Sequence, residues 1–333
     1  MKRIAINGFG RIGRSFLRIL AQDPSLESRI EVVAINIGPS EVSHTAHLFK
    51  YDTLMGTFPG TVTIESDYLI VNNKRIKLLS HTDPKDCGWK SLDIDWVVDC
   101  SGKFTKKSDA VKHIDSGARA VLISAPAYGA DITIIPGVNQ HDFDAKKHKI
   151  VSLGSCTTNA VVPMLWVIEQ LCGIKYGAMT TVHAYTSSQH LLDGDGKDLR
   201  RARAAALNIV PTSTGASRVM GEIIPAIAGK ISSLSLRVPV GKGSLIDLSL
   251  VVKDKVDKDR INQEFRSYSQ TSLRSIMMVS EDPLVSSDCN GTPYSVIIDS
   301  MLTDTVEDVV KVFGWYDNEW GYSHRLKDFL LID

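Results

Sequence analysis

Apolar residues along this chain follow two rhythms, and the change between them falls near residue 155. Before it, short apolar runs alternate with helical patterns. KRIAIN (2–7) reads as a strand and passes through GFGRIG into the helical pattern of RSFLRILAQ. EVVAI (31–35), DWVVDC (95–100), AVLISA (120–125) and KIVSLG (149–154) read as further strands, with the helical pattern SDAVKHIDSG between two of them. Such alternation predicts a doubly wound α/β domain, a parallel sheet with helices on both faces. After the change, GAMTTVHAY, SSLSLRVPV, GSLIDLSLVVK, SVIIDSM and VVKVFGWYD are longer, alternating or continuously apolar, and predict an α+β domain with a mostly antiparallel sheet. The last segment, SHRLKDFLL, is apolar at helical spacing and is expected to pack back on the first domain. The expected division is therefore residues 1–155 joined by a C-terminal helix 321–333, and a second domain 156–320.

Composition removes several function classes. The 333 residues are 43% apolar and carry 38 basic and 38 acidic side chains, so the formal charge is zero. Nothing supplies the electrostatic excess on which phosphate-backbone binding relies, so neither nucleic acid nor a membrane surface is an expected partner. Cys87, Cys100, Cys156, Cys172 and Cys289 are odd in number and lack C-x-x-C spacing, against a disulfide framework or a zinc site. A reducing cytoplasm is expected. No export signal is expected at the N-terminus, and the longest apolar segment, Asn159 to Leu171, is interrupted by Pro163 and Glu169.

Gly8, Gly10 and Gly13 fall between strand and helix, the context in which G-x-G-x-x-G cradles a dinucleotide pyrophosphate at a helix N-terminus. The next strand ends at Asn36-Ile37-Gly38, where an acidic side chain is expected to hold the adenosine ribose. Isoleucine stands there instead.

Among the cysteines, Cys156 has the most telling surroundings. It lies in GSCTTNAVVPMLWVIEQL, after a strand and at the start of a strongly apolar helix that Thr158 or Asn159 can cap. A thiol at a helix N-terminus is expected to have a lowered pKa and to be a good nucleophile. The bland alternative is a small buried cysteine, which fits the other four. His183, at a strand end in AMTTVHAYTSSQ, supplies a base for it. Arg237 stands inside the apolar strand SLSLRVPV, where a guanidinium is costly unless an anion meets it, either a structural carboxylate or a substrate phosphate. Arg200, Arg201 and Arg203, followed by a Thr-Ser-Thr-Gly turn, offer a second oxyanion cradle or an exposed basic face. His44 and His47 have ligand spacing but no third ligand, and Asp193-Gly194-Asp195-Gly196 lacks the closing glutamate of a calcium loop, so no metal is expected.

GFGRIG, SCTTN, VHAYT, DLRRARAAA, PTSTGAS, RVP and WYDNEWGYS occur together in one order along the whole chain. In this it resembles the phosphorylating glyceraldehyde-3-phosphate dehydrogenase family, with the erythrose-4-phosphate dehydrogenases as the alternative. The resemblance implies that Cys156 attacks the aldehyde and that His183 moves protons and steadies the oxyanion. Hydride leaves for a nicotinamide dinucleotide, and inorganic phosphate splits the resulting thioester to an acyl phosphate. It places the substrate phosphate on Thr186, Ser188 and Arg237, and the attacking phosphate on Ser155, Thr157, Thr214, Gly215 and Arg201. It assigns Gly8, Phe9, Gly10, Arg11, Ile12 and Gly13 to the pyrophosphate turn, and Asn36, Ile37, Thr82, Ser101 and Ser124 to the rest of the cofactor. Asn318, with Tyr322 close by, is assigned to the nicotinamide amide. A segment around 184–208 at a subunit interface, and hence a homotetramer, is also implied. Tyr185-Thr186 and Thr214-Gly215 favour glyceraldehyde 3-phosphate over erythrose 4-phosphate.

The chain departs from the family pattern in places. The second cysteine of S-N-A-S-C-T-T-N-C is Ala160, a polar neighbour is Leu153, and N-R-D-P reads His81-Thr82-Asp83-Pro84. Loss of the ribose carboxylate at Ile37 removes a bond worth about 1.5–3 kcal/mol, and with it the repulsion of a 2′-phosphate. Gly194, where many NAD-specific members carry leucine, leaves room as well. No lysine or arginine lies between Ile30 and Phe49, while Glu41 and Asp195 add negative charge. Relaxed use of NAD and NADP is therefore expected. Two other classes compete: a cofactor-binding regulatory protein without turnover, which would have lost Cys156, His183 or Arg237, and a semialdehyde dehydrogenase, whose carboxylate substrates do not call for paired Thr/Arg phosphate sites.

Overall fold

The computed structural model describes residues Met1 to Ile332, which form two compact units. One comprises residues 1–134, 140–154 and 323–332; the other comprises 135–139 and 155–322. Asp333, the last position of the expected C-terminal helix, lies outside the described residues.

The first unit holds a nine-stranded sheet. Its strands are β1 (Lys2–Asn7), β2 (Ile30–Asn36), β3 (Val62–Glu65), β4 (Tyr68–Val71), β5 (Lys74–Leu79), β6 (Trp96–Asp99), β7 (Ala120–Ile123), β8 (Ile132–Thr133) and β9 (Ile150–Ser152), in the order β3-β4-β5-β2-β1-β6-β7-β9-β8. From β5 to β8 all neighbours are parallel. Alternate residues divide the strands between two apolar layers. Ile4, Ile6, Ile35, Trp96, Val98 and Leu122 join Phe16, Leu17 and Leu20 of helix α1 (Arg11–Gln22), Phe49 of α2 (Val42–Lys50), and Leu326, Phe329 and Leu330 near the C-terminus. Ala5, Ala34 and Val97 pack instead with Trp89, while Val121 and Ile123 pack with Ala110 of α3 (Lys107–Asp115). Strands covered on both faces are why these runs read as nearly continuous apolar segments. Each fully buried leucine or isoleucine contributes about 1.5–3 kcal/mol.

The expected parallel sheet carries an antiparallel addition at one edge. Strands β3, β4 and β5 are antiparallel neighbours that extend the edge as a ribbon. Asn72 and Asn73, with φ of 48° and 67°, make the two-residue turn between β4 and β5. Asparagine tolerates this left-handed backbone better than most residues, and the hairpin turn requires it.

The second unit begins its main run with helix α4 (Cys156–Cys172), which continues through Pro163 and buries nearly all of its length. Strands β10 (Ile174–Ala184), β11 (Val210–Thr212), β12 (Ile231–Val238), β13 (Ser244–Val252), β14 (Met277–Ser280), β15 (Val296–Asp299), β16 (Asp304–Val306) and β17 (Val309–Tyr316) follow. The sheet order is β11-β12-β10-β13-β17-β15-β14, with β16 paired to β17. All pairs are antiparallel except β10–β12 and β14–β15. Helices α5 (Ala216–Ile223) and α6 (Lys258–Gln270) complete this unit, and α7 (Trp320–Ile332) ends the described chain. Ile246, Leu248, Leu250 and Val252, on one face of β13, share a core with Val161, Met164, Leu165 and Ile168 of α4 and with Phe265 of α6.

Candidate active site

Local structure delivers Cys156 to the first position of α4. Ser155 caps that helix: its Oγ accepts the Thr158 N–H (3.1 Å), and its own N–H donates to Thr158 Oγ1 (2.7 Å). Such a reciprocal cap fixes the chain entering the helix. The parallel register of β10 and β12 sets His183 directly beside Arg237. His183 Nε2 lies 3.5 Å from Cys156 Sγ. Beneath them, the Tyr316 hydroxyl bonds Thr181 Oγ1 (2.8 Å) and Thr157 Oγ1 (3.1 Å), and its ring meets the His183 ring edge-on at 5.9 Å.

The other ring nitrogen, His183 Nδ1, lies 2.6 Å from Ala184 O and 2.8 Å from Arg237 Nη1, which is itself 3.1 Å from Ala184 O. A carbonyl only accepts and a guanidinium only donates. With the proton on Nδ1, the ring donates to Ala184 O and Nε2 is an acceptor facing the sulfur. With Arg237 donating to Nδ1, the proton sits on Nε2 and faces the sulfur as a donor. These tautomers suit opposite tasks, taking the thiol proton and holding an oxyanion. Arg237 also has a buried Nε that donates to no group among the described residues, and no carboxylate pairs with it.

Burial dominates the electrostatics. It pushes the Cys156 thiol up, opposed by the Arg237 charge and by hydrogen bonding from Thr157. The expected lowering by the helix N-terminus is outweighed, because removing the thiolate from water costs more than the helix end returns. Burial, and then Arg237, push His183 down to about 3. The resting pair is therefore a thiol beside a neutral imidazole. Cys87, Cys100 and Cys289 are pushed up to about 12 and Cys172 to about 11, in each case by burial first. Among the described residues none of these four makes a hydrogen bond to a histidine, as Cys156 does.

The phosphate candidates fall into separate groups. Thr186 and Ser188 bond each other (2.9 Å) but make no hydrogen bond to Arg237. Arg201 Nε donates to Thr212 Oγ1 (2.7 Å) and lies 3.4 Å from Asp198, so its charge is partly committed. Thr214 Oγ1 accepts the Ala216 N–H (3.3 Å), and Gly215 precedes the first turn of α5. The Thr157 hydroxyl is buried against the Tyr316 hydroxyl, 3.1 Å away.

In the first unit the glycine turn has the shape the motif demands. A Cβ on Gly8 would meet Ser101 backbone at 2.6 Å, and one on Gly13 would meet Gly8 O at 2.4 Å, so both positions exclude other residues. A Cβ on Gly10 would enter open space, the cradle itself. Helix α1 begins there with no side-chain cap and no acid in its first turn, which leaves its N–H groups suited to an anion. These residues fit a dinucleotide pyrophosphate. Phe9 stacks near Phe49 and Arg11 pairs with Asp52. Ile12 packs against the core around α1.

A buried polar chain supports this turn. Trp89 Nε1 donates to His113 Nδ1 (3.0 Å), His113 Nε2 bonds Asp99 (3.1 Å), and Asp99 accepts from Asn7 (2.7 Å) and from Ser101 Oγ (2.7 Å). Asn36 donates to Asn7 Oδ1 and to His81 O, so its side chain is spent on tying strand ends together. Ser124 donates its backbone N–H to Asp99 O, and Thr82 is exposed. Ile37 is buried in the core, 6% exposed. Its groove of about 420 Å³ is also lined by Phe9, Gly10, Arg14, Glu41 and His44. The sequence reading missed Arg14 at this groove and weighed His44 only as a metal ligand.

In the second unit, Asn318 Oδ1 accepts from Gly243 N–H (3.2 Å) and Ser244 Oγ (3.3 Å). Tyr322 is buried in the first turn of α7. The sequence reading missed Tyr316 and Ser244. The signal for Tyr316 was its place in WYDNEWGYS; Ser244 carried none, because strand register alone brings it to the site. Among the described residues no cluster of metal-ligating side chains occurs, and no helix is long and apolar enough to cross a membrane.

Residues 2–107 match the family model "Glyceraldehyde 3-phosphate dehydrogenase, NAD binding domain", and residues 155–318 match "Glyceraldehyde 3-phosphate dehydrogenase, C-terminal domain". The chain is 48% identical over 331 residues to glyceraldehyde-3-phosphate dehydrogenase 2 of Streptomyces avermitilis, covering 99% of this chain and 98% of the relative. It is 46% identical over 329 residues to glyceraldehyde-3-phosphate dehydrogenase 2 of Bacillus subtilis, covering 98% and 95%. With these matches spanning nearly its whole length, the chain belongs to the glyceraldehyde-3-phosphate dehydrogenase family.

Proposed function

We propose that this chain oxidises glyceraldehyde 3-phosphate and phosphorylates it to 1,3-bisphosphoglycerate, with Cys156 as nucleophile and His183 as the proton-handling group. The observation that carries these roles is the 3.5 Å approach of His183 Nε2 to Cys156 Sγ beside an Arg237 that pairs with no carboxylate among the described residues. Cys156 attacks the aldehyde as its proton passes to Nε2, and His183 in its Nε2–H form then steadies the oxyanion. A bound nicotinamide dinucleotide supplies the hydride acceptor. Collapse of the thiohemiacetal leaves a thioester on Cys156, which inorganic phosphate attacks to release the acyl phosphate and the thiolate.

Arg237 is suited to the substrate phosphate, with Thr186 and Ser188; Ser155, Arg201, Thr214 and Gly215 are assigned to the attacking phosphate. A phosphate on Arg237 competes for the N–H groups that reach His183 Nδ1. It therefore favours the Nδ1–H tautomer, the one whose Nε2 can take the thiol proton.

A homotetramer completes this reading. It is supported by Leu191, Leu192, Leu199, Leu207 and Ile209, large apolar side chains exposed along one segment, which mark an association surface. Cytoplasmic residence fits five free thiols. Erythrose 4-phosphate gains no support, since the relatives named above are glyceraldehyde-3-phosphate dehydrogenases. The test is steady-state turnover of the purified chain with glyceraldehyde 3-phosphate. Reduction of the cofactor should require phosphate and vanish in Cys156→Ser; phosphate-independent turnover would mean a hydrolytic dehydrogenase instead.

A further inference from the structure

Two polar chains meet at one buried hydroxyl in the second unit. Ser244 opens β13, paired with Tyr316 of β17, and is 1% exposed. Its Oγ accepts the Ala184 N–H (3.1 Å) and donates to Asn318 Oδ1 (3.3 Å). The donor assignment follows from the partners. The Ala184 N–H occupies a lone pair of the hydroxyl, so its single proton is left for the carboxamide oxygen. Gly243 N–H is the second donor to that oxygen (3.2 Å). Two donors on Oδ1 fix which way the Asn318 amide faces.

Ala184 reaches the base through its other peptide group. Its carbonyl receives His183 Nδ1 and Arg237 Nη1. Among the described residues, Ser244 is therefore the one hydroxyl that joins the strand end carrying His183 to Asn318. The backbone of the Asn318 turn has separate anchors. Asp317 accepts from Glu319 N–H (2.9 Å), Trp320 N–H (2.8 Å) and Gly291 N–H (2.7 Å), and pairs with buried Lys242 at 2.8 Å. These hold the main chain without touching the Asn318 carboxamide, so its orientation depends on Gly243 and Ser244.

We propose that Ser244 is a positioning residue: it holds the Asn318 carboxamide in register with the His183 strand end and thereby sets the grip on the nicotinamide amide. The proposal rests on the assignment of Asn318 to that amide. Its test is binding, read by fluorescence titration, of NAD and of ADP-ribose, which lacks the nicotinamide. In Ser244→Ala the preference for NAD over ADP-ribose should fall by about threefold to tenfold, the range one hydrogen bond supports, with ADP-ribose itself within about twofold of the parent. A structural defect would weaken both ligands together and overturn the proposal. So would an unchanged preference in Ser244→Ala accompanied by a lowered one in Asn318→Ala. An unchanged preference in both variants would overturn the Asn318 assignment and the proposal with it.

Discussion

Ile37 is buried in the apolar core and also lines the groove beside Phe9 and Gly10, and that changes what its substitution can do. Ile37→Asp would place a carboxylate at a position now 6% exposed, so tighter NAD binding would come at a cost in stability. With isoleucine there, kcat/KM for NAD and NADP should lie within about a thousandfold of each other; a larger ratio either way would contradict relaxed use. His183 supports a second prediction. Its imidazole is held down to about 3 from an ordinary 6.5, so between these values the unfolded chain binds the extra proton and the folded chain does not. Stability from this group is present above pH 6.5 and is lost as pH falls towards 3. In His183→Asn the urea midpoint should fall less between pH 7 and pH 4.5 than in the parent; an equal fall would show that His183 does not carry this dependence. Cys156 and His183 could be recognised in the sequence because each sits in a local pattern, a helix start and a strand end. Ser244 could not, since its neighbours come from strands far away in the chain, and Tyr316 carried only its place in WYDNEWGYS.

Among the elements, the strand–helix alternation of the first unit was legible because buried parallel strands are short apolar runs bounded by helical patterns. The antiparallel ribbon β3–β5 was not, although Asn72-Asn73 between YLIV and KRIKLL is a hairpin signal that could have exposed it. Helix α4 was recognisable at its start through SCTTN, and Pro163 did not break it. The turn before β13 was invisible, because its constraint is a close approach. Gly243 has φ of 87°, and a Cβ there would meet Ser286 O at 2.2 Å. Gly243→Ala should therefore destabilise the chain by about 1–3 kcal/mol or more and weaken NAD binding through Asn318. An unchanged denaturation midpoint would show that this turn tolerates a side chain.

For the whole molecule, sedimentation should give the mass of four chains, and Leu191→Asp combined with Leu207→Asp should shift it towards smaller species. A parent chain that sediments as a monomer at micromolar concentration would remove the tetramer. In the proposed reaction hydride leaves before phosphate arrives, with a thioester on Cys156 in between. Rapid mixing with glyceraldehyde 3-phosphate and NAD in phosphate-free buffer tests it most directly. A burst of about one reduced cofactor per chain should be followed by a stall that added phosphate releases, the behaviour of a covalent intermediate awaiting its second substrate. Steady turnover without phosphate, or no burst until phosphate is added, would contradict it.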